Sequence, residues 1–461
     1  MTLLAEPHGL HFRSPPPGRT GGDRLDIAVI GSGISGLSAA WLLSQRHRVT
    51  VFEADLRPGG HSNTVDVTGT GGEPVAVDTG FIVYNEAAYP NLTALFAHLG
   101  VETDPSDMSF AVSLDGGRLE YSGSDLRGLF AQRGNLVKLR FWSMLRDLVR
   151  FYRQAPIDAG HIGLMSLDAY LDLRGYGRAF REDHLYPMAA AIWSTSAARI
   201  GQYPTEAFVR FCENHQLLML GDRPAWRTVR GGSRCYVEKL TRGLASRLRL
   251  GCPAVQVRPV AGGVEVRTGA GDEPQRFDQV VIAAHADQAL RLLPDARPDE
   301  RRLLGAFRYT RNLAVLHSDP AAMPRRRRVW SSWNYIADRR GEDALCVSYW
   351  MNRLQRLPGA APLFLTLNPS CALQPGRVIR TEVYEHPLFD ATAIRAQREL
   401  WSLQGRRGIW FCGAYFGAGF HEDGLQAGLA VAEAMGGVRR PWQVAGESGR
   451  IHLRSPLAMA S

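Results

Sequence analysis

Near the start of the chain the apolar positions fall in a legible order. Ile27-Ala-Val-Ile30 is an unbroken apolar run of strand length, the pattern of a strand covered on both faces. It stops at Gly31-Ser32-Gly33-Ile34-Ser35-Gly36. Leu37-Ser-Ala-Ala-Trp-Leu-Leu43 follows, apolar nearly all round, which predicts a buried helix. A second apolar run, Val49-Thr-Val-Phe52, ends in Glu53-Ala54. Strand, glycine turn, helix, strand and acidic tip answer the needs of a bound dinucleotide. Gly31 permits the tight turn, Gly33 lets the backbone approach a pyrophosphate, and Gly36 lets the helix pack closely on the sheet. The helix N-terminus offers free N–H groups to phosphates, and Glu53 is placed to take ribose hydroxyls.

Further along, Phe277–Ala284 and Gly408–Cys412 read as strands of the same kind, the latter running into Gly413-Ala414. Glycines from Gly417 to Gly428 then lead into a helix expected over Leu429–Met435. Shorter strands are expected from Leu313–His317, Val329–Tyr335, Leu345–Met351 and Leu363–Leu367. Asn135–Gln154 is the most helical stretch outside these elements. On a wheel, Lys138, Arg140, Arg146, Asp147, Arg150 and Arg153 mostly share one side. Val137, Phe141, Met144, Leu145, Leu148 and Tyr152 share the other. Basic amphipathic helices with Trp and Phe lie in membrane interfaces, although an apolar face packed on the rest of the protein is the commoner use. Arg325–Arg328 is a second basic cluster, and the two together form a possible docking face for anionic lipid. No internal repeat is evident.

After Glu53 come Arg57-Pro-Gly59-Gly60-His61 and then Val77-Asp-Thr79-Gly80-Phe81. With the glycine turn and the C-terminal glycine segment, these motifs resemble the flavin-containing amine oxidase and phytoene desaturase superfamily from Asp26 to about Gly437. The resemblance implies an α/β fold: a Rossmann-like FAD-binding domain of the amine oxidase type with an interleaved α+β substrate domain. It implies FAD, with Gly59-Gly60 against the ribityl-pyrophosphate, Ala254–Val257 near the adenine, and Ala283, on the strand that returns to the sheet, also at the cofactor. It also implies that Gly413, Ala414, Asp423, Gly424 and Leu425 meet the flavin, where a helix N-terminus stabilises negative charge. His61 stands where the family carries Arg, and an imidazole is shorter and mostly neutral at pH 7. Because the motifs lie far apart, the FAD domain is expected from 25–84, 226–305 and 390–440. The substrate domain is expected from 85–225 and 306–389, with tails at 1–24 and 441–461.

At 461 residues, 45% hydrophobic and 21% charged, the chain has room for two sizeable cores and an ordinary globular composition. No apolar run approaches the roughly 18 residues needed to span a bilayer. Six scattered cysteines show no metal spacing, so reduced thiols in a cytoplasmic protein are expected and no metal. Cys412 lies within the flavin motif, yet non-covalent FAD is expected. The net charge is +9, and of 54 basic residues only Lys138 and Lys239 are lysines. A positive excess suits an anionic partner, here a membrane surface contacted peripherally. No nucleic-acid motif is present. With no second G-x-G-x-x-G, the electron acceptor is expected to be oxygen or a quinone rather than a nicotinamide.

The region where the superfamily carries a catalytic lysine, around Phe307–His317, holds only arginines and histidine as cationic candidates, which argues against ordinary amine oxidation. Segments such as Ala191-Ile-Trp193-Ser-Thr195, Thr366-Leu-Asn-Pro369 and Gly419-Phe-His-Glu-Asp-Gly424 resemble a bacterial subgroup associated with fatty-acid methyltransferases. That resemblance implies FAD-dependent desaturation of a methylated or unsaturated acyl chain, a lipid or other hydrophobic substrate. An amine oxidase and a redox-neutral isomerase or flavin-binding module are the alternatives. His421 and Glu422 are candidate proton acceptors. Asp423 is expected to N-cap the last helix. Trp193, His215, Trp333 and Tyr335 are candidate substrate-pocket residues, against the default that aromatics fill cores.

Overall fold

The computed structural model describes residues 24–219, 221, 224–269, 271–338, 345–357 and 359–453. Its first layer is a parallel sheet ordered Leu248–Arg249, Arg48–Phe52, Asp26–Ile30, Gln279–Ile282, Ile409–Phe411. Ile27 pairs with Val49 on one side and Gln279 on the other, and Ile27 to Ile30 are all buried. The apolar run is continuous because both faces are covered. Helix Ile34–Leu43 packs along helix His421–Gly436. A Cβ on Gly428 would stand 2.2 Å from the Ser35 carbonyl oxygen, so the two helices meet backbone to backbone. The chain's two ends thereby build one wall.

The second layer is a seven-stranded sheet ordered Val378–Leu388, Arg308–His317, Phe364–Leu367, Val347–Trp350, Trp333–Ala337, Phe110–Leu114, Leu119–Ser122. Only Trp333–Ala337 and Phe110–Leu114 run parallel. Helices from 126 to 214 close one side, led by Leu139–Ala159. A small sheet joins Tyr84–Asn85 and Thr103–Ser106 to Trp226–Val229, tying segments from both sides of the expected boundary at 226.

Several elements depart from expectation. The last helix begins at His421 rather than Leu429, because glycines tolerated at a close helix–helix contact read as a loop in the sequence. Arg327–Val329 is a short 3₁₀ turn and the strand starts at Trp333. The basic helix runs Leu139–Ala159 after a turn at Arg133–Val137. On it Asp147, placed on the polar side, is fully buried and accepts the Gly177 N–H at 2.9 Å. Val137, placed on the apolar side, is 84% exposed. Residues 441–453 are not a loose tail. Arg440 is buried against Glu433 and Asn91, and Trp442 stacks on Trp41 at 5.9 Å. The N-terminal stretch 1–23 and 454–461 lie outside the described residues.

Candidate active site

A cavity of about 1180 Å³ runs between the two layers. At one end Glu53, Ala54 and Pro253–Val255 line it. Glu53 is oriented by Ser32, whose N–H and hydroxyl donate to Oε2 at 2.8 and 2.5 Å, and by the Asp55 N–H on Oε1 at 2.9 Å. Next comes the turn Gly31-Ser32-Gly33-Ile34-Ser35 with Gly59-Gly60-His61 facing it. Gly31 needs its φ of +99°, and a Cβ there would strike the Ala283 carbonyl oxygen at 2.6 Å. A Cβ on Gly33 meets nothing within 4 Å, so the turn presents bare backbone to open space. Together with Thr79-Gly80-Phe81, Ala283 and Gly413-Ala414, this forms a cradle with the parts a bound dinucleotide needs: a carboxylate at one end, N–H groups of a helix N-terminus in the middle, and a second helix N-terminus beyond.

Other expected contacts lie off the cavity. Gly36 works behind the turn, where a Cβ would stand 2.0 Å from the Gly31 carbonyl oxygen. Arg57 spends its guanidinium on the Gly60 carbonyl at 2.9 Å. Val257 is buried in the core and donates its N–H to Leu292, so Pro253–Val255 take the wall position instead. Gly424 and Leu425 face the sheet and helix Ile34–Leu43, not the cavity.

The C-terminal motif requires two corrections, and the substrate-pocket set one. Asp423 does not occupy the N-cap position. It sits within the first turn, its Oδ2 accepts the Phe420 N–H at 2.8 Å, and its Oδ1 faces Arg450. Glu422 points away from the cavity. Its carboxylate accepts from the Asn91 and Leu92 N–H groups at 3.1 and 3.0 Å and from the side-chain amides of Asn91 and Gln426, so it caps the helix Pro90–Leu99 rather than meeting a substrate. Tyr335 is buried in the sheet and does not line the cavity.

His421 does line it, stacked on Phe81 at 3.8 Å, with Nε2 2.7 Å from the Tyr236 hydroxyl and 3.3 Å from Ser62 Oγ. Burial pushes its pKa down to about 3, so it is a neutral, hydrogen-bonded wall. Beside it lies a group of imidazoles that sequence reasoning did not single out as a site. His61 is 5.6 Å from His386 and 6.4 Å from His285 between ring centroids, with Tyr384 at 5.0 Å. His61 lines the cavity. Burial, then the neighbouring His386, His285, His421 and Arg57, hold it well below its usual pKa. Burial, followed by His285, lowers His386 to about 4.

The proton on His386 is placed by its neighbours. Asn312 Oδ1 accepts from Asn368 Nδ2 at 2.7 Å, so Asn312 Nδ2 donates to His386 Nδ1 at 2.9 Å and to the Ser194 carbonyl at 3.0 Å. Nδ1 is therefore the acceptor, and neutral His386 carries its hydrogen on Nε2. Tyr384 and His386 share one strand face, and that two-residue period was the signal available in the sequence.

The remaining walls are apolar and aromatic. Met108, Phe110, Met188, Ile192, Leu365 and Leu367 contribute, with Trp193, Trp333 and His215. Phe211 stacks on Phe420 at 4.6 Å and on His215 at 4.0 Å. His215 Nδ1 is satisfied by the Phe211 carbonyl at 3.0 Å, and burial lowers its pKa to about 3. Its Nε2 and Trp333 Nε1 are buried without hydrogen-bond partners, leaving one acceptor and one donor. A widened helical turn at Arg181–Leu185 brings His184 to the wall, as such turns do at functional sites. Neither lysine reaches the cavity. Lys239 Nζ donates to the Leu99 and Gly100 carbonyls, and Lys138 to the Arg118 carbonyl.

Parallel sheet, glycine turn and two helix N-termini at one cleft define an α/β dinucleotide-binding oxidoreductase fold. The chain belongs to the flavin-containing amine oxidoreductase family, which matches residues 34–330, and its cofactor is a flavin. No curated protein matches the chain. Among solved structures it is similar to cyclohexylamine oxidase from Brevibacterium oxydans, at 17% identity and TM-score 0.66 over 90% of this chain and 99% of that one. It is also similar to a conjugated-linoleic-acid-producing fatty acid isomerase from P. acnes, at 15% identity and TM-score 0.64 over 89% and 97%. Putrescine oxidase bound to putrescine aligns at 15% identity and TM-score 0.64 over 89% and 98%. At these identities the likeness establishes the amine oxidase-type FAD-binding fold.

Proposed function

We propose that this protein is an FAD-dependent dehydrogenase that desaturates a methylated or unsaturated acyl chain of a lipid, as in the methyltransferase-associated subgroup. The observation that carries the reading is the substrate side of the cavity. It is long and apolar, lies open to the flavin cradle, and holds no lysine among the described residues. Of the carboxylates on its wall, Asp107 is engaged and Glu385 is loosely held. Asp107 accepts from Ser109, Ser332 and Arg353, and Glu385 lies beside His285 and Arg311. An ammonium substrate would find Glu385 as its one loosely held counter-charge and no lysine beside it, and the apolar walls would make its entry costly in desolvation.

A bound flavin supplies a two-electron hydride acceptor. Loss of a hydride from one carbon to that acceptor, and of a proton from its neighbour to a wall acceptor, for which His215 Nε2 is the unpartnered candidate, leaves the chain with one further double bond. An existing double bond lowers the barrier by making the broken C–H allylic. Phe420, Trp193 and Phe211 hold the chain by shape and exclude water, while His386 Nε2–H and Trp333 Nε1–H are donors for a carbonyl or ester oxygen. Cys412 is fully buried and off the cavity, which supports non-covalent FAD. Oxygen or a quinone would reoxidise it.

The test is an anaerobic flavin spectrum with lipid carrying methyl-branched unsaturated chains. Bleaching with a diene by mass spectrometry is expected. Bleaching by amines alone would make the protein an amine oxidase. Double-bond movement without net bleaching would make it an isomerase, a reading that the likeness to the fatty acid isomerase keeps in view.

A further inference from the structure

Five of the sixteen large apolar side chains that stand exposed among the described residues fall in one short stretch, 126–142. Leu126, Val137 and Leu139 are 74%, 84% and 87% exposed, and Leu136 and Trp142 about half. They belong to one surface. Phe130, four residues beyond Leu126, packs on Trp142 at 5.7 Å, and Trp142 Nε1 donates to the Leu136 carbonyl at 2.8 Å. The segment is firmly held from beneath: Asn135 Nδ2 donates to the Glu120 carbonyl, and Gln132 bonds to Glu120 and Arg118. Soluble monomers rarely expose contiguous apolar surface of this kind without a use for it.

The arginine run comes to the same place from nearly two hundred residues away. The turn Arg327–Val329 packs against Leu126–Leu129. Buried Glu120 accepts from the Arg325 and Arg326 N–H groups and from the Arg326 guanidinium. That anchor fixes the loop and leaves the side chains of Arg325, Arg327 and Arg328 exposed. Arg127, Arg133 and Lys138 lie exposed within the apolar segment itself. The acidic groups facing this surface are few. Asp125 spends its carboxylate on the Gly128 N–H, and Glu182 pairs with Arg140 and Arg178. The cavity reaches this surface too, because Gly123 and Ser124 are exposed and also line it.

We propose that Leu126, Leu136, Val137, Leu139 and Trp142, ringed by Arg127, Arg133, Lys138 and the Arg325–Arg328 loop, dock the protein on an anionic lipid bilayer. The cavity mouth at Gly123–Ser124 then opens toward the acyl region. Apolar side chains at the centre enter the interface, while the surrounding cations meet lipid phosphates. No described helix is long and apolar enough to cross a membrane, so the association is peripheral. The proposal deepens the acyl-lipid reading and takes its physiological sense from it.

The experiment uses the full-length flavoprotein and vesicles of fully saturated lipid, which give no turnover. Cosedimentation is measured with phosphatidylcholine alone and with phosphatidylcholine containing phosphatidylglycerol. Binding to the anionic vesicles is expected to be at least tenfold tighter and to weaken with salt. The exposed-site variant L136S/V137S/L139S should lose at least tenfold at any salt. R327S/R328S should lose about tenfold at low salt only. Both should keep wild-type flavin content and far-UV circular dichroism. Unchanged vesicle binding in both variants overturns the proposal. So does a wild-type dimer that L136S/V137S/L139S abolishes, because a second copy would then be the occupant. Vesicle binding without oxidation of any lipid would defeat the acyl substrate and leave the docking face standing. Oxidation of detergent-dispersed lipid without vesicle binding would do the reverse.

Discussion

Gly33 and Gly36 lie three residues apart and do opposite jobs. Gly36 faces backbone, and an added methyl would need the Gly31 carbonyl to move from 2.0 Å. Gly33 faces open cavity. Gly36→Ala should therefore cost on the order of 3 kcal/mol or prevent folding. Gly33→Val should leave the flavin-free protein within about 1 kcal/mol of wild type in urea unfolding. It should nevertheless lower flavin retention at least tenfold, read as flavin absorbance per chain after gel filtration. Equal flavin in Gly33→Val would remove the pyrophosphate from this turn. The turn was readable from sequence because its steric demands are local. His386 was not, because what fixes its proton is Asn312 on the neighbouring strand and Asn368 just past the end of the next, brought alongside by the sheet. Arg57, beside the glycine pair, gives its guanidinium to a backbone carbonyl, a partner that no residue type announces.

At the scale of elements, the last helix shows how a boundary error moves a functional assignment. Starting it near Leu429 leaves Glu422 in a loop, free to point at a substrate. Starting it at His421 sends adjacent residues to different sides, about 100° apart: His421 to the cavity and Glu422 to the helix Pro90–Leu99. Glu422 then serves structure. Glu422→Gln should cost about 2 kcal/mol by weakening the hydrogen bonds to Asn91, Leu92 and Gln426, measured by chemical unfolding. The rate of flavin reduction per bound flavin should stay within about twofold of wild type. A collapsed rate with unchanged stability would return Glu422 to catalysis. The amphipathic helix has a similar lesson. Its period was legible, but Asp147 is buried because Gly177, thirty residues on, supplies a donor. Val137 and Leu139 are exposed because none of the described elements covers them.

For the molecule as a whole, the unusual quantity is the number of imidazoles kept neutral. His61, His215, His317, His386 and His421 are all held below the ordinary value near 6.5, His317 and His386 at about 4 and His215 and His421 at about 3. Burial is the leading cause for each. A depressed folded-state pKa means that the unfolded chain binds the proton first. The stability these groups contribute is therefore fully present above pH 6.5 and is lost as pH falls from there toward 4. At pH 5 a well-buried histidine of this kind withdraws up to about 2 kcal/mol, and neighbouring sites such as His61 and His386 share rather than add their effects. Asp78 works the other way. Burial raises it to about 6 despite Thr64 and Ser233, so its contribution is greatest at low pH and fades as pH rises from about 4 to 6. Glu422 and Asp423 are raised by burial in the same way, while His285 and His452 join the lowered imidazoles; three carboxyls against seven imidazoles leave the histidines dominant. The urea midpoint should be level from pH 8 to 7 and then drop steadily from pH 6.5 to 4.5, with flavin released over the same range as the cavity wall charges. The double variant His61→Asn, His386→Asn should flatten part of that slope. A midpoint unchanged down to pH 4.5 would mean that these imidazoles titrate alike folded and unfolded, and that the cavity is wetter than its walls imply.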